Sequence, residues 1–127
     1  MNKFAALILL LLLSTGLFAQ EIINLTPKTF KSEIWDYENN EKFKFKGNKP
    51  VILDITADWC RPCRMMKPIL KSAQKKHGND LQIYTIDSDK YPELSGLFKV
   101  KYLPTLIFIN PKKKNTKRKL DTKTRKL

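Results

Sequence analysis

Cysteine and histidine are scarce in this chain of 127 residues: two of the first and one of the second. A structural zinc site usually takes four ligands, so Cys60, Cys63 and His77 are too few. Covalent haem attachment needs C-x-x-C-H, and Arg64 occupies the position of that histidine. A bridge between cysteines so close in sequence constrains the unfolded chain little, which weakens a purely structural disulfide. Long apolar runs are missing as well. The run Phe4–Leu13 has ten residues, whereas a bilayer core of roughly 30 Å needs about 20. Acidic residues number 12 against 25 Lys and Arg, a formal net charge of +13.

That positive charge is uneven. Residues 110–127 hold nine Lys or Arg and one acid, Asp121, for a net of +8, while residues 20–109 carry only +4. The basic end has no aromatic residue for base stacking, and a nucleic-acid role is not expected. Its only large apolar residues are Leu120 and Leu127, too few for a packed helix face. The other end reads as a secretory signal: Lys3, the apolar run, the break Ser14-Thr15-Gly16, then Leu17-Phe18-Ala19 with cleavage expected after Ala19. The chain is thus divided into a signal peptide over 1–19, one domain over 20–109 and a basic, unstructured tail over 110–127. An exported, periplasmic protein follows.

What is present is Trp59-Cys60-Arg61-Pro62-Cys63, directly after the apolar run Val51-Ile52-Leu53-Asp54-Ile55. A strand leading into C-x-x-C, with a helix starting at the first cysteine, suits thiol–disulfide exchange. The free N–H groups and positive end of that helix favour the Cys60 thiolate. Cys63, one turn on, is placed to attack a mixed disulfide formed at Cys60.

Thr26-Pro27 marks a helix start, and Phe30, Ile34 and Trp35 predict a helix over 27–37. Lys42 to Lys46 alternates as an exposed edge strand or extended loop would. Strands are expected over 51–55, 81–86 and 106–109. The helix after Cys60 is expected to turn Met66, Ile69, Leu70 and Ala73 inward, to contain Pro68, and to end at Gly78-Asn79 with His77 in its last turn. A short helix over 91–98 points Leu94, Leu97 and Phe98 inward. This alternation of helix and strand is an α/β order with partly parallel strands.

Residues 51–110 resemble the thioredoxin family, in particular its small exported bacterial members. The resemblance rests on Ala57-Asp58-Trp59-Cys60-Arg61-Pro62-Cys63, on Asp54 six positions before Cys60, on Pro68, and on Leu103-Pro104-Thr105 before the last strand. It implies a thioredoxin-like fold, a central mixed sheet flanked by helices. Here that fold is expected to be incomplete at its C-terminus, because the Lys-rich sequence after Pro111 does not read as the family's last strand and helix. The 106–109 strand would then be a bare edge.

The same resemblance assigns roles. Cys60 becomes the attacking thiolate and Cys63 the resolving thiol. Pro104 matches the family's cis-proline, with the Leu103 backbone pairing with an extended substrate. Trp59 either docks partners beside the dithiol or simply packs. Asp54, in an apolar strand, is expected to have a raised pKa and to accept the Cys63 proton, against the alternative of a solvated strand-end residue. Ile83 falls where the family often has a lysine partner for that Asp. Arg61 either favours the Cys60 thiolate or is a solvated loop residue, and Pro62 points towards a reductase. The activity implied is exchange on protein disulfides, with no cofactor and with an upstream thiol electron donor for which a membrane-bound carrier is a candidate. A catalytically idle binding domain or a truncated product is the alternative.

Overall fold

The computed structural model describes residues 21–111, so the signal-peptide reading and all but the first two residues of the basic tail lie outside the described residues. So do the elements expected to be missing after Pro111. Within the described residues, four strands and three helices alternate: β1 (Ile23–Asn24), α1 (Pro27–Glu33), β2 (Val51–Thr56), α2 (Arg61–His77), β3 (Gln82–Asp87), α3 (Pro92–Leu97) and β4 (Thr105–Ile109). None of these helices is long and apolar enough to cross a membrane.

The sheet has the order β1-β3-β2-β4. β3 runs parallel to both β1 and β2, and β4 lies antiparallel to β2, which makes the sheet mixed. Among the described residues β4 is an edge strand. The two-residue β1 is too short to show a period in the sequence; the other strands appear within a residue of expectation.

Side-chain alternation divides the sheet into two faces. Leu53, Ile55, Tyr84, Ile86, Ile107 and Ile109 join Phe30 of α1 and Leu94 of α3 in the main core. Ile52, Asp54, Ile83 and Leu106 are offset by one residue and therefore lie on the opposite face, the one that packs against α2.

Thr26 caps α1 through a reciprocal pair. The Thr29 amide donates to Thr26 Oγ1 at 3.3 Å and the Thr26 amide donates to Thr29 Oγ1 at 2.9 Å, with Pro27 supplying a preset φ at the first helical position. The helix ends at Glu33 rather than at residue 37. The chain folds back there because Trp35 Nε1 donates to the Asn40 carbonyl at 3.0 Å and Asn40 Nδ2 donates to the Asp36 carbonyl at 3.1 Å. Ile34 and Trp35 are buried even so. Residues 43–47 form an extended loop and not a strand, with Phe43 and Phe45 half-buried between exposed lysines. Phe43 reaches Trp35, ring centroids 5.4 Å apart, and Phe98.

The buried stripe of α2 also departs from expectation. Cys63, Leu70 and Gln74 are its buried residues, Met66 and Ala73 are partly buried, and Ile69 is 65% exposed. Gln74 moves the stripe. Its Oε1 accepts the Ile83 amide at 2.6 Å and its Nε2 donates to the Leu81 carbonyl at 3.1 Å. A buried glutamine satisfied in this way fixes the rotation of the helix on the sheet. Pro68 lies inside α2, as expected, and Gly78 caps its end.

Candidate active site

The loops after β2 and β3 are neighbours because Thr56 and Asp87 pair at the ends of two parallel strands, and the Ser88 amide donates to the Thr56 carbonyl at 2.9 Å. The loop after β2 delivers Cys60 to the N-cap of α2, with an extended backbone at ψ 102°. Cys60 and Cys63 form a disulfide with Cα atoms 5.3 Å apart. The Cys63 amide also donates to Cys60 Sγ at 3.2 Å. Cys60 Sγ thus occupies the capping position at the positive end of a 17-residue helix, where a thiolate is stabilised once the bridge opens. Both cysteines are buried. Position on the helix, not burial, distinguishes them.

Leu103 packs against Ala57, Cys60 and Cys63 in a small apolar cluster separate from the main core. The Leu103–Pro104 peptide bond is cis. Through the packing of Leu103, the segment before β4 lies directly beside the disulfide. Arg61 and Pro62 are exposed in the first turn of α2.

Trp59 is 69% exposed and does not join the cluster around the disulfide. Its indole Nε1 donates to Asp89 Oδ2 at 2.9 Å. Asp89 is presented by a turn in which Asp87 Oδ1 accepts the amides of Asp89 and Lys90, at 3.0 and 3.1 Å. Asp89 is absent from the sequence-derived site. Its signal is the pairing of two parallel strand ends, which topology supplies and local sequence does not.

Asp54 sits in β2 opposite Thr85 on one side and Leu106 on the other, and is 3% exposed. Its Oδ1 has no hydrogen-bond partner among the described residues. Burial pushes its carboxyl up to about 6, and the positive charge of Lys67 opposes this without overcoming it. Ile83, which stands where the family often has a lysine, is fully buried and pairs with Ile52. The compensating cation comes instead from α2, where Lys67 follows Cys63 by one turn. Asp54 therefore faces the same stretch of α2 that carries the second cysteine. Arg64, also absent from the sequence-derived site, donates from its guanidinium to the Asp58 carbonyl at 2.7 Å and braces the loop ahead of Cys60.

Comparison with known proteins agrees with this geometry. A family model described as Thioredoxin matches residues 21–127. A thioredoxin of Borreliella burgdorferi is 39% identical over 87 residues, 68% of this chain and 74% of that protein. A thioredoxin of Rickettsia bellii is 31% identical over 95 residues, 74% of this chain and 81% of its own length. The chloroplastic thioredoxin Y1 of Arabidopsis thaliana is 33% identical over 82 residues, which are 65% of this chain and 48% of the plant protein.

Proposed function

The chain belongs to the thioredoxin family, and from that premise we propose that it is a reductase of protein disulfides acting outside the cytoplasm. It is a thiol–disulfide oxidoreductase whose redox-active pair is Cys60 and Cys63. One observation carries the proposal: the Cys60–Cys63 bridge lies at the N-cap of α2, with Leu103 packed against it.

In the reduced protein the Cys60 thiolate attacks one sulfur of a client disulfide. A Cys60–client mixed disulfide forms and the other client sulfur leaves as a thiolate that takes up a proton. Cys63, losing its proton to Asp54, then attacks Cys60 Sγ. The mixed disulfide breaks, the second client thiol is released, and the Cys60–Cys63 bridge forms. Two electrons have passed to the client. An upstream dithiol returns them by the reverse exchange.

A carboxyl held near 6 is ionised for the most part at neutral pH yet basic enough to take a proton, which suits Asp54 to the second step. Trp59 and the Leu103 backbone contribute the surface on which the client chain lies. Pro62 supports the reductase direction. The signal-like stretch Lys3 to Ala19 supports export to the periplasm, where a membrane-bound thiol carrier is the natural donor. The test is reduction of insulin by the mature protein in the presence of dithiothreitol, followed by turbidity. Acceleration over dithiothreitol alone is expected. No acceleration, with the Cys60–Cys63 bridge opening and closing normally, would leave an idle binding domain instead.

A further inference from the structure

The described residues hold fifteen Lys or Arg against eleven Asp or Glu, and the distribution is lopsided. α2 carries six of the cations (Arg61, Arg64, Lys67, Lys71, Lys75 and Lys76) and no acid at all. The rest of the described chain is therefore net −2. All six are exposed. The ion pairs Lys31–Glu38 and Lys90–Asp87 both lie away from α2.

Helical spacing sorts the exposed surface of α2 into two parallel rows. Arg64, Lys67, Lys71 and Lys75 follow one another by three or four residues. On the other flank of that exposed surface, roughly a third of a turn round the helix with Pro68 and Ser72 between, lie Met65 and Ile69, 66% and 65% exposed, and Pro68, Ile69, Ala73 and Lys76 line a shallow groove there. Both rows begin within about one turn of the disulfide and extend about 17 Å along the helix away from it.

We propose that this face of α2 docks an acidic protein partner, a row of carboxylates meeting the cations and an apolar strip covering Met65 and Ile69, so that the partner's own disulfide or dithiol is delivered to Cys60 and Cys63. The proposal rests on the oxidoreductase reading. Charge complementarity of this kind steers encounter and fixes orientation more than it adds affinity. A protein is favoured over an anionic lipid surface because the rows converge on a redox pair, and a lipid headgroup has no disulfide to exchange. Only two large apolar side chains project from the face, which is little for insertion between lipids.

The experiment uses the full-length reduced protein and two disulfide-bonded peptides that are identical around the disulfide, one with a Glu-rich arm and one with a Lys-rich arm. Hydroxyethyl disulfide is the uncharged control. Residues 112–127 add nine further cations, so the deciding comparison is with Lys71→Glu/Lys75→Glu and not with salt alone. At about 20 mM salt the wild type should reduce the Glu-armed peptide with kcat/KM about tenfold above the Lys-armed one, and the ratio should approach one at about 500 mM. Lys71→Glu/Lys75→Glu should abolish or invert the preference while reducing hydroxyethyl disulfide at the wild-type rate. Equal rates on both peptides, with the control reduced normally, would overturn the docking surface and leave the oxidoreductase reading intact. Failure to reduce the control as well would overturn both. Binding to phosphatidylcholine–phosphatidylglycerol vesicles that the double variant weakens, without peptide discrimination, would overturn the proposal in favour of a lipid surface.

Discussion

The Trp59 indole and the Asp89 carboxylate, thirty residues apart in sequence, are joined by a 2.9 Å hydrogen bond across the loops that follow β2 and β3. The bond holds an exposed aromatic ring next to Cys60 at a fixed orientation. Asp89 is itself held by the Asp87 turn. An exposed bond of this kind adds only about 0.5–1.5 kcal/mol to stability, so its consequence is expected in client binding.

Asp89→Ala should raise KM for a protein disulfide about threefold with kcat nearly unchanged, and should shift the Trp59 fluorescence. Asp89→Asn keeps a carbonyl acceptor and should restore most of both. Steady-state kinetics on the three proteins, with emission spectra in a Trp35→Phe background, check this. A fall in kcat with constant KM would assign Asp89 a different role.

Asp54 gives two pH signatures. Its folded-state pKa, about 6, lies above the ordinary value of 3.8, so the folded protein binds the extra proton between these values. Stability contributed by that proton is full below about pH 4, is lost as pH rises through 6, and is level above. Asp54→Asn should remove the slope and be more stable than wild type at pH 8 by something on the order of 3 kcal/mol, two pK units at about 1.4 kcal/mol each. The same variant should slow turnover at pH 7 while sparing the first attack by Cys60, and wild-type turnover should rise through pH 6. Urea melts at pH 4 and 8 and NMR titration of the carboxyl check the two. An ordinary carboxyl pKa would remove the proton-acceptor role.

Gln74 clamps α2 to β3 through the Ile83 amide and the Leu81 carbonyl. Gln74→Ala leaves both backbone groups buried without that partner and should cost about 2–4 kcal/mol. The urea midpoint should drop accordingly, with the reactivity of the dithiol in the folded protein unchanged.

Gly96 lies near the end of α3 with a negative φ, and a methyl group added to its Cα would meet no neighbouring atom within 4 Å. Gly96→Ala should therefore stabilise the protein by up to about 1 kcal/mol, by restricting the unfolded chain and favouring the helix. A thermal melt shifted upward by a few degrees is the expected result.

Much of this architecture is legible in the sequence because the strands are dense apolar runs and α2 is announced by Cys60 and closed by Gly78. What escapes the sequence depends on tertiary partners. α1 stops at Glu33 because the Trp35 indole finds the Asn40 carbonyl, a bond that periodicity cannot reveal. Helical spacing alone puts Ile69 inside, yet the burial of polar Gln74 rotates it outward. Within the site, the cysteines, Asp54 and Leu103-Pro104 are readable from local motifs. Asp89, Arg64 and Lys67 are not, since each meets the site through a neighbouring loop, a backbone carbonyl or the next helical turn.

The central claim is that Cys60 and Cys63 exchange disulfides in a fixed order, and trapping of mixed disulfides tests it most directly. The Cys60 sulfur caps α2 and accepts the Cys63 amide, so it is the thiol whose anion the helix stabilises. Cys63→Ser should accumulate covalent Cys60–client species visible on non-reducing gels and by mass spectrometry, whereas Cys60→Ser should accumulate none. Equal trapping by both variants, or trapping through Cys63 alone, would contradict the account.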